Sequence, residues 1–173
     1  MITATIESLI RVVPDFPIPG ILFRDITPLL ADATSFKAMI DLFVERFRDE
    51  EIDAIVGIEA RGYLIGAPIA YALKAGFIPV RKPGKLPSAV LSESYSLEYG
   101  TNTLEIHHDA LPAGARVLVV DDLLATGGTA AATVRLLERQ GATVVGCAFL
   151  IELAALEGRA ALANAEVTTF LSY

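Results

Sequence analysis

The sequence predicts an α/β fold: a central parallel sheet flanked by helices, with an antiparallel hairpin inserted near its middle. Three observations carry that prediction. Apolar runs at 52–58, 77–80, 116–121 and 143–151 read as strands. The segments at 63–75 and 129–140 read as helices, and strands joined by helices of about 10–15 residues mean βαβ units and a parallel sheet. Residues 82–108 interrupt that alternation with a pattern of their own.

Each element has its reason. Residues 2–13 read as a short amphipathic helix, with Ile2, Ile6, Leu9 and Ile10 near helical spacing. Pro14, Pro17, Pro19 and Gly20 then exclude regular structure. The run ILFRDITPLL is apolar with embedded charges and is broken at Pro28. A helix over 35–49 follows, because Phe36, Met39, Ile40, Phe43, Val44 and Phe47 fall on one stripe. The helix at 63–75 stops at Gly76, and the one at 129–140 stops at Gly141. The strand at 116–121 is apolar throughout Val117–Val120, as a strand covered on both faces should be.

KPGKLPSAVL reads as a loop. After it Leu91, Glu93, Tyr95, Leu97 and Tyr99 alternate with Ser92, Ser94, Ser96 and Glu98. Gly100–Asn102 would turn the chain, and Leu104, Ile106 and His108 would return it. A loop plus hairpin that the core does not need is usually functional.

Composition narrows the class. A chain of 173 residues suits one domain. With 53% hydrophobic residues and a mean hydropathy of +0.52, it is not disordered. The longest apolar run, 144–151, is far below the roughly 20 residues that span a bilayer. A net charge of −7 argues against a general nucleic-acid or anionic-membrane surface, though not against a local anion site. The single cysteine, Cys147, has no partner for a disulfide, zinc or redox pair and reads as packing. The first twenty residues lack a basic segment followed by an apolar one, so no signal peptide is expected. The expectation is a cytoplasmic globular protein.

The chemistry concentrates in VLVVDDLLATGGTA, 117–130. A buried strand ends in adjacent carboxylates, Asp121 and Asp122, and a glycine-containing loop then enters a helix. Ligands of open α/β sheets bind beyond the carboxyl ends of strands. Gly127 and Gly128 let backbone N–H groups approach an anion with no Cβ in the way. The helix N-terminus adds unpaired N–H groups, and Thr126 and Thr129 add hydroxyls. The loop therefore reads as a phosphate cradle with two acids nearby for hydroxyls or a metal. It is neither a Walker A loop nor GxGxxG.

This segment resembles the phosphoribosyl-pyrophosphate (PRPP) motif of type I phosphoribosyltransferases. PDFPIPGILFRDITPLL, GIEARGY, VRKPGKLP, SYSLEYG and VVDDLLATGGT, in that order, resemble the adenine phosphoribosyltransferases over nearly the whole chain. One departure is Tyr63, where a Phe is common. Residues 146–173 carry no motif of use.

The resemblance implies the type I phosphoribosyltransferase fold, as one domain over 1–173. Residues 1–33 would form an N-terminal helix and base-binding hood, and 82–108 a mobile flap and hairpin. It implies transfer of the 5-phosphoribosyl group from PRPP to N9 of adenine, giving AMP and pyrophosphate. Mg²⁺ would be held mainly through substrate, with Asp121 and Asp122 reaching it through water. A homodimer is implied, with no nucleic acid and no membrane as partner.

Role by role, Ala125, Thr126, Gly127, Gly128 and Thr129 would hold the 5′-phosphate. Asp121 and Asp122 would meet the ribose hydroxyls or the metal. Arg61 would hold pyrophosphate oxygens, helped by Arg81, Lys82 and Lys85. The family carries a cis peptide here, which would fall at Glu59–Ala60. Leu22, Phe23, Arg24 and Asp25 would form the adenine site, with Leu123 covering a face of the base. Glu98 would be the catalytic acid/base. His107 and His108 read as structural or solvent-facing, without a third ligand at metal spacing.

Other readings stay open: transfer to a 6-oxopurine or a pyrimidine, or a PRPP-sensing regulator without turnover. The regulator needs an appended DNA-binding module, and 1–20 is too short for a winged helix.

Overall fold

A computed structural model describes residues 2–96 and 100–173. It divides into two compact units, Met1–Phe47 and Arg48–Tyr173.

The N-terminal unit opens with helix α1 (Ile2–Ser8), shorter than expected. The chain then forms a hairpin that the sequence reading missed. Strand β1 (Arg11–Pro14) pairs antiparallel with β2 (Leu22–Asp25). Arg11 and Asp25 face each other in that register and form an ion pair at 2.7 Å. Helix α2 (Thr27–Ala31) follows at once, with Pro28 in its first turn, where a missing N–H costs nothing. Helix α3 (Ala33–Phe47) is set by the Asp32 carboxylate, which accepts the Ser35 N–H at 2.8 Å. Ile6, Leu29, Met39 and Phe43 are buried as the unit's own core.

The second unit is built on a five-stranded sheet in the order β4-β3-β7-β8-β9, every pair parallel. Strand β3 (Ala54–Ile58) is buried throughout and leads into helix α4 (Arg61–Leu73) and edge strand β4 (Gly76–Val80). Strand β7 (Arg116–Leu124) runs three residues past its expected end, so both acids lie within it. Helix α5 (Gly128–Arg139) returns the chain to β8 (Thr143–Glu152). The fifth strand, β9 (Val167–Ser172), was not expected. Two short 3-10 helices, Ala154–Leu156 and Gly158–Leu162, link β8 to it.

The inserted hairpin is present as β5 (Val90–Ser96) and β6 (Thr101–His107). Thr101 and Asn102, expected in the turn, are instead paired in β6 with Ser96 and Tyr95. Leu97 and Tyr99 lie outside the described residues. The alternation holds where it is described: Tyr95, Leu104 and Ile106 are buried in the core, while Ser92, Ser94 and Ser96 are exposed. Arg135 and Arg139 of α5 clamp Glu93 at 2.6 and 3.2 Å, fastening the hairpin to that helix.

Candidate active site

The order of strands fixes where a ligand can bind. From β3 the chain moves to one side, to β4, and later returns to the other side as β7. The reversal falls between β3 and β7, and in open parallel sheets the crevice at such a point, beyond the carboxyl ends of the strands, takes the ligand. Here that crevice is a cleft of about 300 Å³, lined by Glu59, Arg61, Lys82, Asp121, Asp122, Leu123 and 125–129.

The end of β3 supplies one wall. The Glu59–Ala60 peptide is cis, at the position the resemblance implied. Arg61 then opens α4, and its Nε donates to Asp122 Oδ2 at 2.5 Å. Gly62 lets that helix approach β7: a Cβ there would lie 2.8 Å from the Val120 carbonyl oxygen and 3.0 Å from Asp121 Oδ1.

The end of β7 supplies the acids. Asp122 is buried, 4% exposed, within β7. Its N–H donates to Asp121 Oδ1 at 2.9 Å. Burial, and then the adjacent Asp122 charge, hold the Asp121 carboxyl well above the usual carboxylate range. Two acids thus share a site with Arg61, and only Asp122 is paired with its guanidinium Nε.

The loop and helix supply donors. Gly127 sits at φ +81°, just before α5. The Ala131 N–H donates to the Gly127 carbonyl at 2.9 Å and opens the helical ladder, so the N–H groups of Gly128, Thr129 and Ala130 come before it. The Thr129 hydroxyl bonds the Tyr95 hydroxyl at 2.9 Å, joining the hairpin to the cradle. Gly127 has a reason to be a glycine that lies within the protein itself. The space its Cβ would need is filled by the Gly158 carbonyl oxygen and, at 2.9 Å, by the Ala161 methyl. The protein framework thus requires the missing side chain whatever the loop binds.

The basic cluster is only partly gathered. Lys82 lines the cleft. Arg81 instead meets Glu59 at 3.4 Å and the Lys85 carbonyl at 3.1 Å. Lys85 is exposed and is not among the lining residues. Glu59, which the sequence reading treated only as one side of a peptide bond, organises this edge. It accepts the Lys82 N–H at 2.9 Å, and that bond foremost holds its carboxyl below the ordinary range.

Leu22, Phe23 and Arg24 all lie on β2 of the N-terminal unit. Leu22 is 57% exposed, and Phe23 makes an edge-to-face contact with Phe16 at 5.1 Å. Asp25 is engaged by Arg11 and Thr27 and joins the hairpin to α2. Glu98 lies outside the described residues. Cys147 is fully buried and its thiol is pushed up to about 12 by burial, as packing requires. The hydroxyl of Tyr63 donates to the Val80 carbonyl at 2.9 Å, which accommodates the departure from Phe. His107 is half-buried in β6 and His108 is exposed.

Comparison with known proteins agrees with this fold. Residues 26–168 match the model of the phosphoribosyl transferase domain. The adenine phosphoribosyltransferase of Acaryochloris marina is 58% identical over 97% of this chain and 99% of its own. The chain belongs to the adenine phosphoribosyltransferase family. The crystal structure of the Thermoanaerobacter pseudethanolicus member superposes with a TM-score of 0.97 at 48% identity, covering 99% of each chain. The Saccharomyces cerevisiae member, solved with D-2,5-dideoxy-2,5-imino-altritol 1,6-bisphosphate and adenine, superposes with a TM-score of 0.93 at 42% identity, covering 98% of each chain. In this chain the acid pair, the glycine loop and Arg61 stand together at the switch point of the sheet. Among the described residues no helix is long and apolar enough to cross a membrane.

Proposed function

We infer that this chain transfers the 5-phosphoribosyl group of PRPP to N9 of adenine and releases AMP and pyrophosphate. The observation that carries the reading is the switch-point cleft, where the acid pair on β7 adjoins a glycine loop at a helix N-terminus. Family membership supplies the reaction class.

The 5′-phosphate sits on Ala125, Thr126, Gly127, Gly128 and Thr129, where backbone N–H groups and the positive end of α5 meet it. Asp121 and Asp122 hold the ribose hydroxyls. As the glycosidic bond to pyrophosphate breaks, positive charge develops at the anomeric carbon, and a nearby carboxylate stabilises it. Arg61 and Lys82 bind the departing pyrophosphate, with Arg81 and Lys85 behind them. The family resemblance carries the adenine contacts over to Leu22, Phe23 and Arg24 and, separately, to Leu123. Glu98 holds or returns the proton on the imidazole edge of the base.

Mg²⁺ fits the donor set. Among the described residues no three His, Cys, Asp or Glu side chains form a cage for a metal. Mg²⁺ is usually held by one or two carboxylates, waters and substrate phosphates, and Asp121 with Asp122 offers that. It neutralises charge on the pyrophosphate group when bound.

The protein works as a homodimer in the cytoplasm. Exposed apolar side chains of the proline loop support a partner surface: Phe16 is 51% exposed and Ile18 60%. The polyanionic substrate supports a cytoplasmic site, since it does not cross a bilayer.

A screen of free bases with PRPP and Mg²⁺, following pyrophosphate release, tests the function. Adenine should exceed hypoxanthine in kcat/KM by about 10⁴-fold, because a 6-oxo group and N1–H mismatch donors and acceptors set for adenine. Comparable values would refute adenine specificity. Glu98→Ala should lower kcat by about 10²-fold or more with little change in PRPP affinity.

A further inference from the structure

The segment that follows β8 bears on the anion loop in a way that no motif announces. Gly158 and the loop 125–127 are in mutual close approach. A Cβ on Gly127 would strike the Gly158 carbonyl, and a Cβ on Gly158 would strike the Ala125 carbonyl and lie 3.0 Å from the Leu124 side chain. Gly127 cannot gain a side chain without moving the Gly158 backbone, and Gly158 cannot gain one without moving the Ala125 backbone. The conformation of 125–127 is therefore tied to the position of Gly158.

What holds Gly158 is the residue beside it. Arg159 Nε and Nη2 donate to the two carboxylate oxygens of Glu152, each at 2.8 Å. Its Nη1 donates to the Val167 carbonyl at 3.0 Å, and Nη2 also reaches the Thr169 hydroxyl at 2.9 Å. Arg159 thus fastens the second 3-10 helix to the ends of β8 and β9 through a planar, bidentate pair. The Leu153 N–H donates to the Leu124 carbonyl at 2.9 Å, which stitches the start of the same segment to the end of β7.

We propose that Gly158 and Arg159 are positioning residues that hold the 125–127 backbone in its anion-binding shape. Neither lines the cleft. They act through Ala125 and Gly127, and the proposal rests on the reading of that loop as the 5′-phosphate cradle.

The test compares AMP with adenosine, which differ only in the 5′-phosphate. Their dissociation constants are measured by calorimetry on the full chain, and the ratio isolates the phosphate contribution. Arg159→Met and Gly158→Ala should each lower the ratio by about tenfold, and Arg159→Lys by about threefold. Adenosine binding should stay near wild type in all three, which general loosening of the fold would not allow. Should Arg159→Met fail to fold, Gly158→Ala and Arg159→Lys carry the same comparison. An unchanged ratio in folded Arg159→Met or Gly158→Ala overturns the proposal. Thr126→Val, which alters the cradle directly, separates the two levels. If it lowers the ratio when Arg159→Met does not, the cradle reading stands and only the positioning role falls. If neither moves the ratio, the cradle reading fails as well.

Discussion

Strands β7 and β8 are parallel neighbours, with Leu124 opposite Glu152, yet they end in acids of opposite condition. On β7, Asp121 and Asp122 crowd together with Arg61 against them, and burial with like charge pushes the Asp121 carboxyl up. On β8, Glu152 has two guanidinium bonds and the Thr169 hydroxyl, and the Arg159 bonds foremost hold its carboxyl down. One strand end crowds two acids together, and its neighbour meets both oxygens of a single one. A crowded acid in a cleft awaits a ligand; a satisfied one belongs to the framework that keeps the cleft in shape.

Amide substitution should break this contrast most sharply. Asp121→Asn should lower kcat/KM by about 10²-fold or more, because a ribose contact is misplaced or lost. Its melting temperature should hold or rise, since an amide carries no desolvated charge next to Asp122. Steady-state kinetics and thermal melting on one sample check both halves. Near wild-type activity would make the acid pair structural.

Glu152→Gln should do the reverse. Removing the charge from a bidentate pair strands a guanidinium and costs about 1–3 kcal/mol. For a chain of this size that lowers the melting temperature by about 2–4 °C per kcal/mol. At saturating PRPP, kcat should stay within about threefold of wild type, as the reacting groups are untouched. A stable but catalytically dead Glu152→Gln would invert the assignment of the two strand ends.

That contrast also marks what the sequence makes legible. Strands β3, β7 and β8 announce themselves as apolar runs because both faces are covered. The acid pair and the glycine loop stand out because their residue types have few other uses after a buried strand. Strand β9, VTTFLS, is a half-buried edge in which hydroxyl residues interrupt the apolar ones, so no apolar run betrays it. The hairpin of β1 and β2 hides because Arg11–Pro14 continues the apolar spacing of α1, and only a partner eleven residues on reveals it as a strand. Gly127 was legible as a glycine that must be a glycine. The reason was not, because Gly158 lies far along the chain. Glu59 and Glu152 were missed since an isolated glutamate carries no signal until its partners are placed.

The two ends should also respond oppositely to pH. Asp121 has its folded value raised, so its contribution to stability is complete below the unfolded value, about 3.9, and is lost as pH rises through the folded value. Glu152 has its folded value lowered, so its contribution is complete above about 4.3 and is lost as pH falls through the folded value. Melting temperatures from pH 3 to 8 should therefore show a steeper acid limb in Asp121→Asn, where the opposing group is gone. In Glu152→Gln the acid limb should flatten. Parallel curves for the two variants would mean that neither acid differs between the folded and unfolded chain as its surroundings require.

The smallest effect tests whether the framework pair needs its third member. Thr169 on β9 donates its hydroxyl to Glu152 Oε2 at 2.9 Å and accepts from Arg159 Nη2 at the same distance. It completes a closed set in which each oxygen of Glu152 is met. Thr169→Val keeps the branched shape, which suits a strand, and removes only the hydroxyl. The lost bond should cost about 1 kcal/mol, which is about 2–4 °C in melting temperature. Thr169→Ser keeps the hydroxyl and should recover most of that loss, the remainder reflecting the missing methyl. The pair between Arg159 and Glu152 stays bidentate in both variants, so the AMP-to-adenosine ratio should not move. A fall in that ratio with Thr169→Val would extend the positioning role to β9, whereas equal stability of the Val and Ser variants would show that Arg159 alone satisfies Glu152.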